Sequence, residues 1–353
     1  MDKGVIIVNG KMKAIVKTKE AKGAEIKEVS IPDYGPEQVL IKVESTSICG
    51  TDLHIYEWNK WAQKNISVPQ IMGHEVAGKV VEVGDRVENI EEGDFISAET
   101  HIPCGHCYQC KTGNQHICNN MRILGVHKDG VFAEYAVIDA VDVWKNDPTI
   151  PAEYASLQEP MGNAIDTILA GDVAGKNVLI TGAGPAGLIS VSVARAFGAT
   201  QVIVSEPNDY RRKIALEMGA DKVVNPLEED LASIVYDRTD GIGVDFVAEM
   251  SGNEHALNEA LDLITAGGKM GLLGLPDDNV SLDLTNDVIF KGITLVGVTG
   301  RKMFNTWYTA SRLLKEERID LDPLITHTFS LEEFEKGMEL MESGNCGKII
   351  LKP

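Results

Sequence analysis

Short runs of apolar residues, broken by glycine-containing turns, dominate the chain as far as Glu159. Residues 39–43 (Val-Leu-Ile-Lys-Val) and 78–84 (Gly-Lys-Val-Val-Glu-Val-Gly) read as strands. Their β-branched residues and near two-residue period suit a pleated surface with one buried face. Gly84-Asp85 and Gly93-Asp94 supply turn chemistry between such runs. Many short strands with regular turn signals predict a twisted, barrel-like β domain. From Asn163 to Thr299 the texture changes. Apolar runs at 178–180, 202–204, 223–224, 244–247, 269–274 and 293–298 alternate with stretches of helical length. That alternation predicts a parallel sheet wrapped by helices on both faces. The tail predicts a helix over 307–317, a second over 331–343 and a closing strand over 348–351, returning to the first domain. The expected domains are therefore 1–163 completed by 301–353, and 164–300. No internal repeat or low-complexity tract is present.

The first strand of the second region runs into Gly182-Ala183-Gly184-Pro185-Ala186-Gly187, followed by an apolar helical stretch over 188–197. A G-x-G-x-x-G run alone is weak evidence, but here it stands between strand and helix, as a dinucleotide site requires. Gly182 permits the tight turn and Gly184 lets the backbone approach a pyrophosphate. Gly187 lets the helix pack close, with its N-terminus facing the phosphates. The second strand ends at Ser205-Glu206. A carboxylate there accepts hydrogen bonds from ribose hydroxyls and repels a 2′-phosphate, which favours NAD over NADP. Arg211 and Arg212 follow and weaken that discrimination, because an arginine can serve a phosphate.

The net charge of −20 argues against a nucleic-acid partner, since most of this surface repels a phosphate backbone. The acid is dispersed and forms no tail. No apolar run is long enough to span a bilayer, so no membrane partner is expected. The apolar Val5-Ile6-Ile7-Val8 is cut off by Asn9-Gly10-Lys11, too soon for a signal peptide. A cytoplasmic protein is the expectation.

Four of the six cysteines, Cys104, Cys107, Cys110 and Cys118, form C-x2-C-x2-C-x7-C. Without a secretion signal such a cluster reads as metal binding before disulfides. Four thiolates complete a tetrahedral shell, so a zinc ion here would hold a loop and do no chemistry. An iron–sulfur cluster makes similar ligand demands. A second set is scattered: Cys49, His74-Glu75 and, further on, Glu159. Thiolate, imidazole and carboxylate suit a catalytic zinc with one open position. Taken singly, Cys49 reads as a small buried residue and His74 as a satisfied core histidine.

In order and spacing, Cys49–His54, Gly73-His74-Glu75, the four-cysteine loop and the glycine turn resemble the zinc-containing medium-chain dehydrogenases over nearly the whole chain. Longer stretches resemble the branch of that family acting on L-threonine. These are residues 48–58, Trp61-Ala62-Gln63-Lys64, Glu159-Pro160-Met161-Gly162-Asn163-Ala164, Gly300-Arg301-Lys302-Met303-Phe304 and Ile325-Thr326-His327. The resemblance implies a GroES-like β-barrel catalytic domain plus a Rossmann doubly wound parallel sheet. It also implies NAD, two zinc ions per subunit (one catalytic, one structural) and a homotetramer. By that resemblance Cys49, His74 and Glu75 are the catalytic-zinc positions. Glu159 lies beside the metal as an exchanging ligand or as part of the proton path, and the choice between Glu75 and Glu159 as third ligand stays open. Thr51 and His54 match the proton relay; Ala186, Glu206, Arg211, Leu273 and Val298 match positions that contact NAD. The segment before Met12 extends beyond the usual family start and has no functional account.

The implied reaction takes L-threonine to 2-amino-3-oxobutanoate by hydride transfer to nicotinamide, with Thr51 and His54 carrying the hydroxyl proton to solvent. Thr51 can alternatively be a helix N-cap. Trp58, Trp61 and Lys64 are candidates for the pocket mouth, and Arg301 for a phosphate, a neighbouring subunit or a solvated surface position. A polyol or secondary-alcohol dehydrogenase (sorbitol or 2,3-butanediol type) would keep the metal and cofactor sites and differ in the pocket. A binding protein that has lost catalysis fits poorly with an intact Cys49, Thr51, His54, His74 and Glu159. A zinc-ribbon nucleic-acid module fits the cysteines alone.

Overall fold

The strand Gln38–Ile48 is the spine of the first half of the molecule, pairing antiparallel with Glu75–Val83 on one side and Lys348–Lys352 on the other. The computed structural model describes residues 10–353, and the apolar run Val5-Ile6-Ile7-Val8 lies outside them. Strand order across the seven-stranded sheet is Val143–Lys145, Phe95–Ala98, Glu75–Val83, Gln38–Ile48, Lys348–Lys352, Ile325–Ser330, with Tyr135–Asp139 also paired to Gln38–Ile48. A smaller sheet joins Glu25–Ser30, Lys11–Lys17 and Gln70–Ile71. Val39, Ile41, Val43, Val76, Val80 and Ile96 fill one core. Alternate residues of a strand face one side, so register alone gathers them there. Ile48, Ile55, Phe334, Met338 and Ile349 fill another, beneath the helix Gly50–Glu57. Each such side chain stabilises the fold by about 1.5–3 kcal/mol.

That helix begins two residues earlier than a cap at Thr51 would require. Cys49 occupies the N-cap position and its N–H donates to Asp52 Oδ2 at 2.9 Å. Thr51 is the helix's second residue, so the N-cap reading of Thr51 does not hold.

The second half is a six-stranded parallel sheet, ordered Lys222–Val224, Gln201–Ser205, Asn177–Thr181, Val244–Glu249, Ile264–Leu272, Thr294–Gly297. Strand order reverses between Asn177–Thr181 and Val244–Glu249, the place where doubly wound sheets open a crevice at their carboxyl ends. Central strands covered on both faces read as continuous apolar runs, and Val178, Leu179, Ile180, Phe246 and Val247 are fully buried.

Two compact units result: the described residues to Glu159 with Ile325–Pro353, and Pro160–Leu324. The return to the first unit comes later than the expected position 301. The reason is local. Lys302 N–H and Thr306 Oγ1 both donate to Asp166, at 2.7 Å each. Arg301 packs so closely on Gly162 that a Cβ there would lie 2.5 Å from its Cδ. These contacts hold 301–324, including the helix Asn305–Lys315, in the second unit. Arg301 is fully buried with its guanidinium over Trp307 at 5.9 Å, which rules out a solvated surface position. No helix among the described residues is long and apolar enough to cross a membrane.

Candidate active site

Three adjacent strands assemble the first cluster. Ser47, near the end of Gln38–Ile48, stands opposite Glu75 in the neighbouring strand, and Lys348 opens the strand on the other side. Cys49 follows directly on the spine, and His74 directly precedes Glu75. Ligand atoms of Cys49, His74 and Glu75 all lie within 4.8 Å of one another. Glu159 lies outside that group of three. It is buried, and its carboxylate accepts a hydrogen bond from Thr100 Oγ1 at 3.0 Å.

The surroundings favour positive charge. Burial opposes charging the His74 ring, but Asp52 and Cys49 outweigh it and hold its pKa well above the usual value. Asp52 Oδ1 lies 3.5 Å from His74 Nδ1. A carboxylate behind an imidazole orients the ring and raises its basicity as a ligand. Glu75 is itself engaged: Lys348 Nζ donates to both carboxylate oxygens at 2.5 Å, and Ser47 Oγ also bonds Oε2. Burial works against the Lys348 ammonium, yet Glu75 and Cys49 keep it charged, with its pKa above the usual value. Two buried charges in this geometry satisfy each other, and removing either leaves a costly orphan.

Cys104, Cys107, Cys110 and Cys118 converge in a second cluster. Cys107 Sγ lies 3.5 Å from Cys110 Sγ and 3.7 Å from Cys118 Sγ. A tetrahedron with metal–sulfur bonds of about 2.3 Å has edges of about 3.8 Å. The sulfurs therefore fit one zinc-sized ion. An iron–sulfur cluster would interpose its own atoms and hold them farther apart, so that alternative falls. The N–H groups of Cys104 and Asn120 donate to Cys118 Sγ at 3.3 Å each, as a thiolate needs.

In the second unit the glycine turn has the shape its sequence requires. Gly182 has φ +85, and a Cβ on Gly187 would lie 2.0 Å from Gly182 O. Gly184 is the N-cap of the helix Pro185–Ala196 and Pro185 takes its first position, so the helix starts before the expected 188. No side chain caps it, which leaves first-turn N–H groups for an anion. Glu206 is held by the N–H groups of Ala183 (2.6 Å) and Asn208 (2.9 Å), placing its carboxylate at the end of the second strand. Arg212 turns back onto Glu206 O, Pro207 O and Asp209, so it is not free to serve a phosphate. Arg211 Nε is buried with no hydrogen-bond partner among the described residues. Leu273 N–H donates to Glu249 O, and Val298 N–H to Leu272 O, both at the carboxyl ends of their strands. A cavity of about 800 Å³ in the first unit, lined by Met12, Ile71 and Tyr135, contains none of these residues.

Residues 35–151 match the alcohol dehydrogenase GroES-like domain, and 185–316 the zinc-binding dehydrogenase domain. An L-threonine 3-dehydrogenase of Pyrococcus abyssi is 58% identical over 341 residues, 96% of this chain and 98% of that protein. The chain belongs to the zinc-binding medium-chain dehydrogenases. Among solved structures of these dehydrogenases, one from Sinorhizobium meliloti 1021 bound to NADP superposes with TM-score 0.91 at 29% identity. It covers 98% of this chain and 100% of its own. An Escherichia coli CFT073 alcohol dehydrogenase complexed with NADH gives 0.90 at 29% identity, with the same coverage.

Sequence reasoning missed Ser47, Asp52 and Lys348. Asp52 had a signal, standing three residues after Cys49 where a capping carboxylate belongs. Lys348 had none: it is a lysine before an apolar run, placed against Glu75 by register alone.

Proposed function

We propose that this dehydrogenase oxidises L-threonine at its β-carbon to 2-amino-3-oxobutanoate, with NAD as hydride acceptor. The observation that carries the reading is the 58% identity to an L-threonine 3-dehydrogenase across nearly the full length of both chains. The Cys49–His74–Glu75 cluster fits that chemistry. Zinc held there supplies a Lewis acid that favours the deprotonated substrate hydroxyl, and NAD on the glycine turn supplies the acceptor.

The protein's own residues handle the proton. Thr51 and His54 sit three residues apart on one helix and so share a face. The Thr51 hydroxyl accepts the leaving proton as it gives up its own, and the exposed His54 ring returns it to solvent. Glu75 is the carboxylate within ligand reach. Lys348 holds it in place, and Glu159 remains nearby as an exchanging ligand or proton acceptor. The Gly182–Gly187 turn and Ala186 would receive the pyrophosphate, and Glu206 the ribose hydroxyls. Arg211, Leu273 and Val298 complete the proposed NAD contacts. The four-cysteine loop would carry a structural zinc.

We assign the protein to the cytoplasm and to a homotetramer. Thr294–Gly297 is a sheet edge, and Leu275, Leu284, Ile289 and Phe290 are exposed apolar residues of the same unit. An uncovered edge with apolar neighbours is a pairing surface. Light scattering behind size exclusion checks the tetramer; a monomer would remove it.

The test of function is NADH production with zinc-loaded protein on L-threonine, sorbitol, 2,3-butanediol and ethanol. L-threonine should be strongly preferred and its turnover lost to a chelator. Preferred turnover of a polyol or simple secondary alcohol would overturn the substrate while leaving the chemistry in place.

A further inference from the structure

Past the helix Gly50–Glu57 the chain turns back on itself. Trp58 adopts the left-handed conformation at φ 58, and Asn59 N–H reaches His54 O at 3.3 Å. The turn is anchored from below. Buried Lys17 donates to Tyr56 O at 3.0 Å and places its ammonium 5.2 Å from the centre of the Trp58 ring. Asn59 is thereby set against the His54 ring.

The Asn59 side chain is bound at both ends. Its Oδ1 accepts hydrogen bonds from Trp61 N–H at 3.0 Å and Ala62 N–H at 2.9 Å. Backbone N–H groups only donate, so the atom facing them must be the amide oxygen. The other end is then the NH₂ group. It lies 3.0 Å from His54 Nδ1 and has only hydrogens to offer. Nδ1 must therefore be the acceptor, and the neutral ring carries its proton on Nε2.

We propose that Asn59 is a positioning residue that fixes the His54 tautomer and closes the only lone pair of the neutral ring. The inference rests on the relay reading of His54 given above. A neutral imidazole takes up a proton on its one lone pair. Here that is Nδ1, so uptake breaks the Nδ2–H···Nδ1 bond, and loss of the Nε2 proton to solvent restores a neutral ring. Proton count is conserved: one enters at Nδ1, one leaves from Nε2, and tautomer exchange with release and re-engagement of Asn59 resets the latch. The same amide caps the short helix Ala62–Asn65, whose N-terminal neighbour is Trp61. The relay histidine and that segment are therefore tied through one side chain.

Two substitutions separate the latch from the cap. Asn59→Asp and Asn59→Ser both keep an oxygen for the Trp61 and Ala62 N–H groups and lose the amide donor. With ¹⁵N-labelled histidine in the full-length protein, the native His54 should show an unprotonated Nδ1 and a protonated Nε2. Asn59→Asp should reverse the two, and Asn59→Ser should give a mixture. A native ring protonated on Nδ1, or an unchanged tautomer in both variants, overturns the proposal. Proton release on mixing with NAD and L-threonine, followed with an indicator dye in stopped flow, should be about two- to tenfold faster in Asn59→Ser, the worth of one exposed hydrogen bond. The KM for NAD should be unchanged. A shifted tautomer with unaltered proton release would uphold the Asn59 assignment and overturn His54 as the proton carrier.

Discussion

Asp142 is a buried carboxyl, 2% exposed, whose Oδ2 has no hydrogen-bond partner among the described residues. Burial first, then the charges of Asp139 and Glu99, push its pKa up to about 8. An acid whose pKa is higher in the folded state binds more protons folded than unfolded, so its contribution to stability falls as pH rises between about 4 and about 8. Asp142→Asn, uncharged and of similar shape, should escape that loss. Its unfolding free energy relative to the native protein, from denaturant titration, should climb across this window and level off above it, reaching a gain of a few kcal/mol at most. A pH-independent difference would show that Asp142 ionises freely. Nothing in the sequence singled this residue out, because its environment is made by segments distant in the chain. The four cysteines were legible for the opposite reason: their spacing is covalent, and a loop of fifteen residues has few ways to present four thiols. Cys49, His74 and Glu75 fall between these cases. Each is ordinary alone; the family resemblance named them together, and the fold brings their ligand atoms within reach of one another.

Element by element, periodicity located the strands of the parallel sheet and left their ends imprecise. The strand expected over 269–274 in fact spans Ile264–Leu272, and the helix after the glycine turn starts at Pro185. Propensity does not mark ends that tertiary hydrogen bonds decide, as Leu273 and Gly274 show by donating to Glu249 O. The turn itself was legible because glycine is needed there for physical reasons. Gly187→Ala puts a Cβ 2.0 Å from Gly182 O, a contact that only a shift of the helix away from the strand relieves. Such a shift costs about 1–3 kcal/mol. It moves the N–H groups proposed to meet the pyrophosphate, so NADH affinity should fall roughly tenfold to a hundredfold. Zinc content should be unaffected, because all the proposed ligands lie in the other compact unit. NADH fluorescence titration with metal analysis of the same sample checks both. Undiminished affinity would place the cofactor away from this turn.

For the molecule as a whole, 53 acidic against 33 basic residues leave an excess of negative charge that no local pairing removes. Exposed ion pairs such as Lys11–Glu28 and Lys19–Glu25 are worth about 0–1 kcal/mol each, and salt weakens them. Self-repulsion among twenty uncompensated charges acts in the opposite direction, destabilising the compact state until salt screens it. Raising salt from about 0.01 M to about 0.15 M shortens the screening length from about 30 Å to about 8 Å, well below the size of a domain. Repulsion is the larger effect here, so Tm near neutral pH should rise over that range for different monovalent salts alike. A second condition separates this from generic salting-out: close to the sequence pI of 4.8 the net charge vanishes and the rise should vanish with it. A Tm that falls with salt at neutral pH would mean that specific surface pairs, and not the overall charge, govern stability. A rise that persists at the pI would assign it to the solvent and not to the protein's own field.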